Sequence, residues 1–146
     1  MLVLIVLFGG MLIFRLIGFL GVPIFGTWQA ATTYALALMF LFTGSAHFGK
    51  MRADLERMIP PWVPNPRAVV LVTGALEILG AIGLIIPETR WFCGLCLILF
   101  LIAVFPANVH AAKTKSTVAG RPVATLGVRA PMQLLFIALI VWVMWQ

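Results

Sequence analysis

The sequence predicts an all-α integral membrane protein, a bundle of five membrane-spanning helices that forms one domain over residues 1–146. The chain is 63% hydrophobic, only 10% of its residues are charged, and its mean hydropathy is +1.14. Ordinary soluble domains are about 45–50% apolar and about 25% charged. A soluble domain of this length could not bury so much apolar surface. Apolar runs of about 20 residues, the length that crosses a bilayer, also recur along the chain. We therefore expect the lipid bilayer to be the main partner.

The first and third predicted spans have informative boundaries. The first is interrupted by Arg15 and has no basic start, so it is interpreted as a retained helix and not as a cleaved signal peptide. Pro66 and Pro87 bound the third. The fifth is slightly short and follows Arg129. The five spans cover about residues 2–22, 28–48, 67–86, 90–110 and 131–145.

A short amphipathic helix is predicted at about residues 50–59, between the second and third spans. Met51, Leu55 and Met58 recur at helical spacing, while the charged residues fall largely elsewhere. Such a helix is typical of the membrane interface. The four prolines between residues 60 and 66 then favour an extended return to the third span. A surface connector is the simplest interpretation, and a gate or a partner-docking surface is the alternative.

The basic residues predict the orientation in the membrane. With five spans, the connections after the second and the fourth lie on the same side, and only Arg90 lies on the other. Cytoplasmic loops carry an excess of Lys and Arg, so we expect a cytoplasmic N-terminus and an external C-terminus. The net charge of +6 is explained in this way, and we see no nucleic-acid signature. The two basic connections hold Lys50, Arg52, Arg57 and Arg67, and Lys113, Lys115, Arg121 and Arg129.

Five short motifs resemble one known family. They are TGSAHFGK, MIPPWVPNP, TGALEILGAIGLIIPETR, AVFPANVHAA and RAPMQ, in this order between about residue 28 and the C-terminus. Together they resemble the DoxX-like family of small bacterial integral membrane proteins. The resemblance implies a four-helix core with one added N-terminal helix, in the bacterial plasma membrane. It also implies a subunit or accessory of a membrane redox system, with a redox partner and quinone as the cofactor, or of an oxidative-stress system. It supplies no catalytic mechanism.

Glu77 lies in the middle of the third span. Ten residues after Arg67, at about 1.5 Å each, place it roughly 15 Å deep in a hydrocarbon core about 30 Å thick. A rotation of about 100° per residue puts it on one narrow face with four small residues. Small residues mark close helix contacts in membranes, so Glu77 is expected to face the bundle. This face holds Thr73, Gly74, Glu77, Gly80 and Ala81.

An ionised carboxylate at this depth needs a partner, and Arg15 is the candidate. A Glu77–Arg15 pair that fixes helix packing is one hypothesis. A proton-relay or ligand-binding role is the second, because ionisable groups inside the membrane are functional candidates by default. The third is a neutral Glu77 that hydrogen-bonds a neighbour.

A second polar cluster is predicted at the cytoplasmic mouth of the bundle. Pro106 removes a helix hydrogen bond, and Asn108 or His47 could donate to a carbonyl that it frees. The alternative is a vestibule that binds a headgroup, a quinone carbonyl or a proton. Two histidines without nearby acids do not indicate a metal site. The cluster consists of His47, Asn108, His110, Arg129 and Gln133.

Cys93 and Cys96 form a C-x-x-C at the start of the fourth span, on the predicted external side. That compartment permits disulfides, so a thiol–disulfide oxidoreductase is one hypothesis. Ordinary packing is the favoured interpretation, because a second cysteine pair is missing and cysteine packs well as a small apolar residue.

The functional hypotheses are therefore ordered but open. A redox subunit or accessory comes first, on the family resemblance. A protein that binds or transports a small lipophilic ligand or lipid comes second, a thiol–disulfide oxidoreductase third, and an assembly factor without catalysis fourth. Whether the chain is an enzyme, and its oligomeric state, stay undetermined.

Overall fold

The computed structural model describes residues 2–145 and is mostly helical, which confirms the all-α class. A short 3-10 turn, Pro23–Phe25, separates the first two helices, and a small hairpin with strands β1 (Thr117–Val118) and β2 (Arg121–Pro122) precedes the last. The helices are α1 (Leu2–Phe19), α2 (Trp28–Ala46), α3 (Arg52–Met58), α4 (Pro66–Ile85), α5 (Pro87–Lys113) and α6 (Leu126–Met144).

Within the described residues, four helices are long and apolar enough to cross a bilayer, namely α1, α4, α5 and α6. The chain is accordingly a helical membrane protein. The helix α2 is the exception, because its 19 residues include several polar ones.

The helix α2 lies at the centre of the bundle. It packs against α1, α4 and α6, and more than half of its residues are buried. Its hydroxyls bond back to its own backbone, as when Thr32 donates to the carbonyl of Trp28 at 2.7 Å. A helix that neighbours shield from lipid does not need a fully apolar surface, which explains its lower hydropathy.

Glycines set the closest approaches between helices. A Cβ built on Gly10 of α1 would lie 3.3 Å from the Cβ of Ala35 in α2. A Cβ on Gly80 of α4 would come within 2.5 Å of the Leu97 side chain in α5. Gly74, Gly80 and Ala81 are all buried. The small-residue face of α4 therefore packs against neighbouring helices, as its spacing predicts.

The turn from α4 to α5 is tight, and Arg90 stabilises it. Its Nε donates to the carbonyl of Leu84 at 3.0 Å, and its guanidinium also reaches the carbonyl of Ile85. Only 8% of Arg90 is exposed. Arg90, which the positive-inside argument places on the external side, thus also caps the C-terminal end of α4.

Two predicted spans start too late. The helix α5 begins at Pro87 and not at about residue 90, because proline is well suited to the first helical turn. The helix α6 begins at Leu126, and Pro131 lies inside it. A proline near the start of a helix costs one backbone hydrogen bond without ending the helix, so treating Pro131 as the first residue was wrong.

The hairpin was not anticipated. Ala119 and Gly120 form its turn with φ angles of +52° and +72°, the pattern of a tight hairpin turn. The backbone N–H of Ala119 donates to Oδ2 of Asp54 at 2.8 Å. The hairpin is thereby tied to α3, which lies within the residues 50–59 expected for the amphipathic helix.

Replacing Gly74 should push α2 and α4 apart. A Cβ at this position would lie 2.4 Å from the Cβ of His47, so we expect Gly74→Ala to reduce the free energy of unfolding by about 1–3 kcal/mol, the usual cost of overpacking. The measurement is reversible unfolding in mixed micelles with increasing dodecyl sulfate. Gly9→Ala is the matched control, because nothing lies within 4 Å of its added Cβ. Equal stability of the two variants would contradict the close contact.

Candidate functional site

Glu77 lies where α4 meets α2. Only 7% of it is exposed. A Cβ on Gly44 of α2 would lie 3.2 Å from the Cβ of Glu77, and one on Gly74 would overlap His47. These two glycines therefore allow the backbones to approach closely enough for side chains of α2 to reach the carboxyl group.

Thr43 and His47, one helical turn apart, contact the two carboxyl oxygens separately. The hydroxyl of Thr43 donates to Oε1 of Glu77 at 3.2 Å. Nε2 of His47 lies 3.3 Å from Oε2. This second contact is longer than an ideal hydrogen bond and is not directed as one, and Oε2 accepts no other hydrogen bond from the described residues.

The other ring nitrogen of His47 determines what faces the acid. Nδ1 lies 2.8 Å from the carbonyl oxygen of Val70. A carbonyl can only accept, so Nδ1 carries a hydrogen and donates it. Thr73 lies 3.2 Å from the same nitrogen and donates to the carbonyl of Val69 at 2.8 Å. In the neutral ring Nε2 then presents a lone pair to Glu77.

Two facing lone pairs repel each other unless a proton lies on one of them. Either Glu77 is protonated beside a neutral imidazole, or an imidazolium lies beside a carboxylate. Both arrangements add one proton to the pair and leave it with no net charge. We call Thr43, His47, Thr73 and Glu77 the carboxyl site.

Arg15 is not a partner of Glu77, so the hypothesis of a Glu77–Arg15 pair is wrong for this structure. Its guanidinium carbon lies 3.9 Å from the ring centroid of Phe19 and 5.6 Å from that of Trp28, near the opposite end of α2. The physical reason is the order of the helices. Both α1 and α4 pack on α2, which lies between them.

The predicted cluster at the mouth divides into three parts. His47 belongs to the carboxyl site. Arg129 donates to Oδ1 of Asn108, and Nδ2 of Asn108 lies 3.4 Å from Oε1 of Gln133. His110 instead packs edge-on against Trp62, with 6.4 Å between ring centroids.

The side chain that donates to the α5 backbone near Pro106 is not one of the two expected. Nε2 of Gln133 donates to the carbonyl of Leu101 at 3.0 Å, one residue before the carbonyl that Pro106 leaves without its helical donor. Nδ2 of Asn108 is directed to Oε1 of Gln133 at 3.4 Å, and His47 donates to Val70 in another helix. The polar residues of α6 therefore support α5.

A cavity of about 980 Å³ lies between α4 and α5 and extends below α3 and the connection that follows it. We call it the α4–α5 groove. Its walls are mostly apolar and include Trp62, Leu76 and Leu99, and its polar lining includes His47, Thr73, Glu77 and Asn108. Leu76 and Leu99 are also exposed on the outer surface of the bundle. The groove thus opens sideways, where acyl chains surround a membrane protein.

Both cysteines line the same groove and are not bonded to each other. Sγ of Cys93 packs against Gly83, where an added Cβ would lie 2.1 Å from the sulfur. Cys96 is exposed. Cys93 therefore has a clear packing role. Between residues 2 and 145, no three His, Cys, Asp or Glu side chains are grouped so that they could hold a metal ion.

Thr43 is the member of the carboxyl site that was not named from the sequence. A usable signal was present, because Thr43 and His47 share a helix face in TGSAH. Of the named candidates, the structure brings Glu77, His47 and Thr73 together, and Asn108 lines another part of the same groove.

The fold and the site define a class, a helical membrane bundle with one buried carboxyl at a laterally open apolar groove. The chain belongs to the family described as "Domain of unknown function (DUF8561)", whose family model matches residues 36–145. This match includes the whole carboxyl site and excludes α1. No curated protein and no solved structure matches the chain.

The site predicts selective reaction of Glu77 with dicyclohexylcarbodiimide. This lipophilic reagent attacks protonated carboxyl groups, and the facing lone pairs of Glu77 and His47 favour one proton on the pair inside an apolar groove. We expect mass spectrometry to find the adduct on Glu77 and not on Glu88, which is exposed at the start of α5. Glu77→Gln should abolish the adduct. An unlabelled Glu77 in a protein whose Cys96 reacts with a lipophilic maleimide would contradict a proton on Glu77.

Proposed function

We propose that this protein binds a small lipophilic molecule in the α4–α5 groove, with the polar end of that molecule at the carboxyl site. The observation that carries the proposal is the groove itself, which joins an apolar, laterally open space of about 980 Å³ to a buried carboxyl group. Ligand sites are concave and mostly apolar, have volumes of about 300–1,000 Å³, and contain a few convergent polar groups.

The arrangement of the polar groups supports the proposal. Thr43, His47 and Glu77 converge from two helices, and the contact of Oε2 with Nε2 of His47, at 3.3 Å, is longer than an ideal hydrogen bond. A buried carboxyl oxygen with one long contact is incompletely satisfied, and a ligand group could supply a further hydrogen bond. An acid serving packing alone would be expected to have both oxygens bonded.

The proposed setting is the bacterial plasma membrane, with five spans, a cytoplasmic N-terminus and an external C-terminus. Four spans meet the criteria of length and hydropathy, and α2 is the fifth in this proposal. Two observations support α2 as a span: its 19 residues are long enough, and α1, α4 and α6 surround it. The basic connections then lie on the cytoplasmic side.

Reporter fusions test this orientation. Alkaline phosphatase fused after Trp145 should be active, because the enzyme folds only outside the cytoplasm, whereas the same fusion at Lys115 should be inactive. A fluorescent protein that folds in the cytoplasm should give the inverse pattern at the two positions. If α2 does not span, α4, α5 and α6 still alternate, so a fusion at Phe25 is also required. Activity at Phe25 supports five spans, and inactivity contradicts them.

A redox role is the second candidate. The resemblance of the motifs to the DoxX-like family motivates it, and the position of Cys93 and Cys96 on the wall of the groove favours it. In this version the bound molecule is a quinone, whose carbonyl would accept a hydrogen bond from the shared proton of Glu77 and His47. The protein would then act as an accessory or subunit beside a redox enzyme.

Filling the groove should weaken binding without disturbing the bundle. Ala103 lines the groove on α5, so Ala103→Trp is expected to weaken binding about tenfold or more, equivalent to about 1.4 kcal/mol. The measurement is mass spectrometry of molecules extracted from protein purified in mild detergent. Ile102→Trp is the matched control, because Ile102 is the exposed neighbour on α5 and does not line the groove.

The extracted molecule distinguishes the candidates. A quinone retained by the wild type and by Ile102→Trp, but lost from Ala103→Trp, would favour the redox role. Another lipophile with the same pattern would favour general ligand binding. Identical extracts from all three proteins would contradict a ligand in the groove.

A further inference from the structure

We propose that the carboxyl site selects lipophilic cations and releases one proton for each cation it binds. This inference rests on the proposed function and names the class of its ligand. It starts from the pairing of Glu77 with His47 and from the groups that line the α4–α5 groove.

The carboxyl site lacks one positive charge when its proton is removed. Nδ1 of His47 is committed to the carbonyl of Val70 at 2.8 Å, so the ring cannot turn Nε2 into a donor without taking up a second proton. Deprotonation leaves the carboxylate of Glu77 facing a lone pair at 3.3 Å. An uncompensated charge in an apolar interior is strongly unfavourable. A cation in the groove would replace the missing charge.

The other groups at the carboxyl site and along the groove do not supply that charge. Thr43 of α2 contributes a neutral hydroxyl to Glu77, and Cys93 and Cys96 of α5 line the groove. Among the described residues that line the groove there is no lysine or arginine. The guanidinium of Arg129 donates to Asn108. Asn108 lines the groove, whereas Arg129 does not.

The walls of the groove also favour a cation. Trp62, Phe92 and Phe100 line it, and aromatic faces attract cations, most strongly where water is excluded. A lipophilic anion would meet the opposite conditions, a carboxyl group and the negative faces of aromatic rings. A neutral lipophile would bind without any change in the protonation of the site.

The exchange is balanced in atoms and charge. The protonated Glu77–His47 pair has no net charge, and it loses one proton to water as the cation arrives. The resulting carboxylate and the bound cation again have no net charge together. No bond other than the one to this proton is made or broken, and no oxidant or reductant is required.

Three tetraphenyl probes of nearly the same shape test the inference: the tetraphenylphosphonium cation, neutral tetraphenylsilane and the tetraphenylborate anion. Binding to the full-length protein in mild detergent is measured by equilibrium dialysis against empty micelles. Proton release is measured with a pH-sensitive dye in weakly buffered solution near neutral pH. We expect the phosphonium to bind with release of one proton, and the borate not to bind above the micelle background.

Variants test which group loses the proton. Glu77→Gln should weaken phosphonium binding about tenfold or more and remove proton release, while Glu88→Gln, the exposed match for this substitution, should change neither. Glu77→Asp retains a carboxyl group and should retain proton release even with weaker binding. The proton count in the wild type does not depend on whether any variant folds.

Two results would overturn the inference and leave the proposed function standing. One is phosphonium binding without proton release, and the other is equal binding of the three probes. In both cases Ala103→Trp must weaken the binding. Absence of phosphonium binding also overturns it. The proposed function fails separately, if Ala103→Trp and the wild type yield identical extracts.

Discussion

The close approach of α2 and α4 determines most of what is distinctive in this molecule. It depends on Gly44 and Gly74, since a side chain on either would overlap the opposite helix. Without that approach, neither Thr43 nor His47 could reach Glu77. A buried acid in an apolar helix would then have no polar neighbour, and its burial would be difficult to sustain.

The same contact explains why α2 is not among the helices whose length and hydropathy meet the criteria for a membrane span. It carries the hydroxyl and the imidazole that Glu77 requires, and its other threonines bond to its own backbone, as Thr33 does to the carbonyl of Gln29 at 2.9 Å. Because α1, α4 and α6 cover it, these polar groups are not presented to lipid. The lower hydropathy of α2 is thus a consequence of the polar groups that it supplies to Glu77 in α4.

The sequence predicted the local features and not the long-range ones. Helical spacing places Glu77 on the buried face of α4, because periodicity is a property of one segment. It cannot identify the facing helix, and Arg15 is the candidate partner only if α1 and α4 are adjacent, so that its long side chain reaches the acid. The order of helices decided otherwise. His47 was assigned to a separate cluster for the same reason, since nothing in the sequence shows that the end of α2 meets the middle of α4.

The groove could not be predicted from the sequence because it is a property of shape. Each residue on its wall, such as Leu76 or Phe92, is an ordinary apolar residue of a membrane helix.

A difference in how closely the helices pack forms the groove. The helix α4 packs closely on α2 through its small-residue face, and on α5 through Gly80 and Gly83. Toward α3 that contact gives way to the space lined by Thr73 and Asn108. The network of Arg129, Asn108 and Gln133 joins α6 to α5 at the same level. Asn108 belongs both to this network and to the groove wall, so a molecule entering from the bilayer would meet the polar groups of Asn108, Thr73, His47 and Glu77.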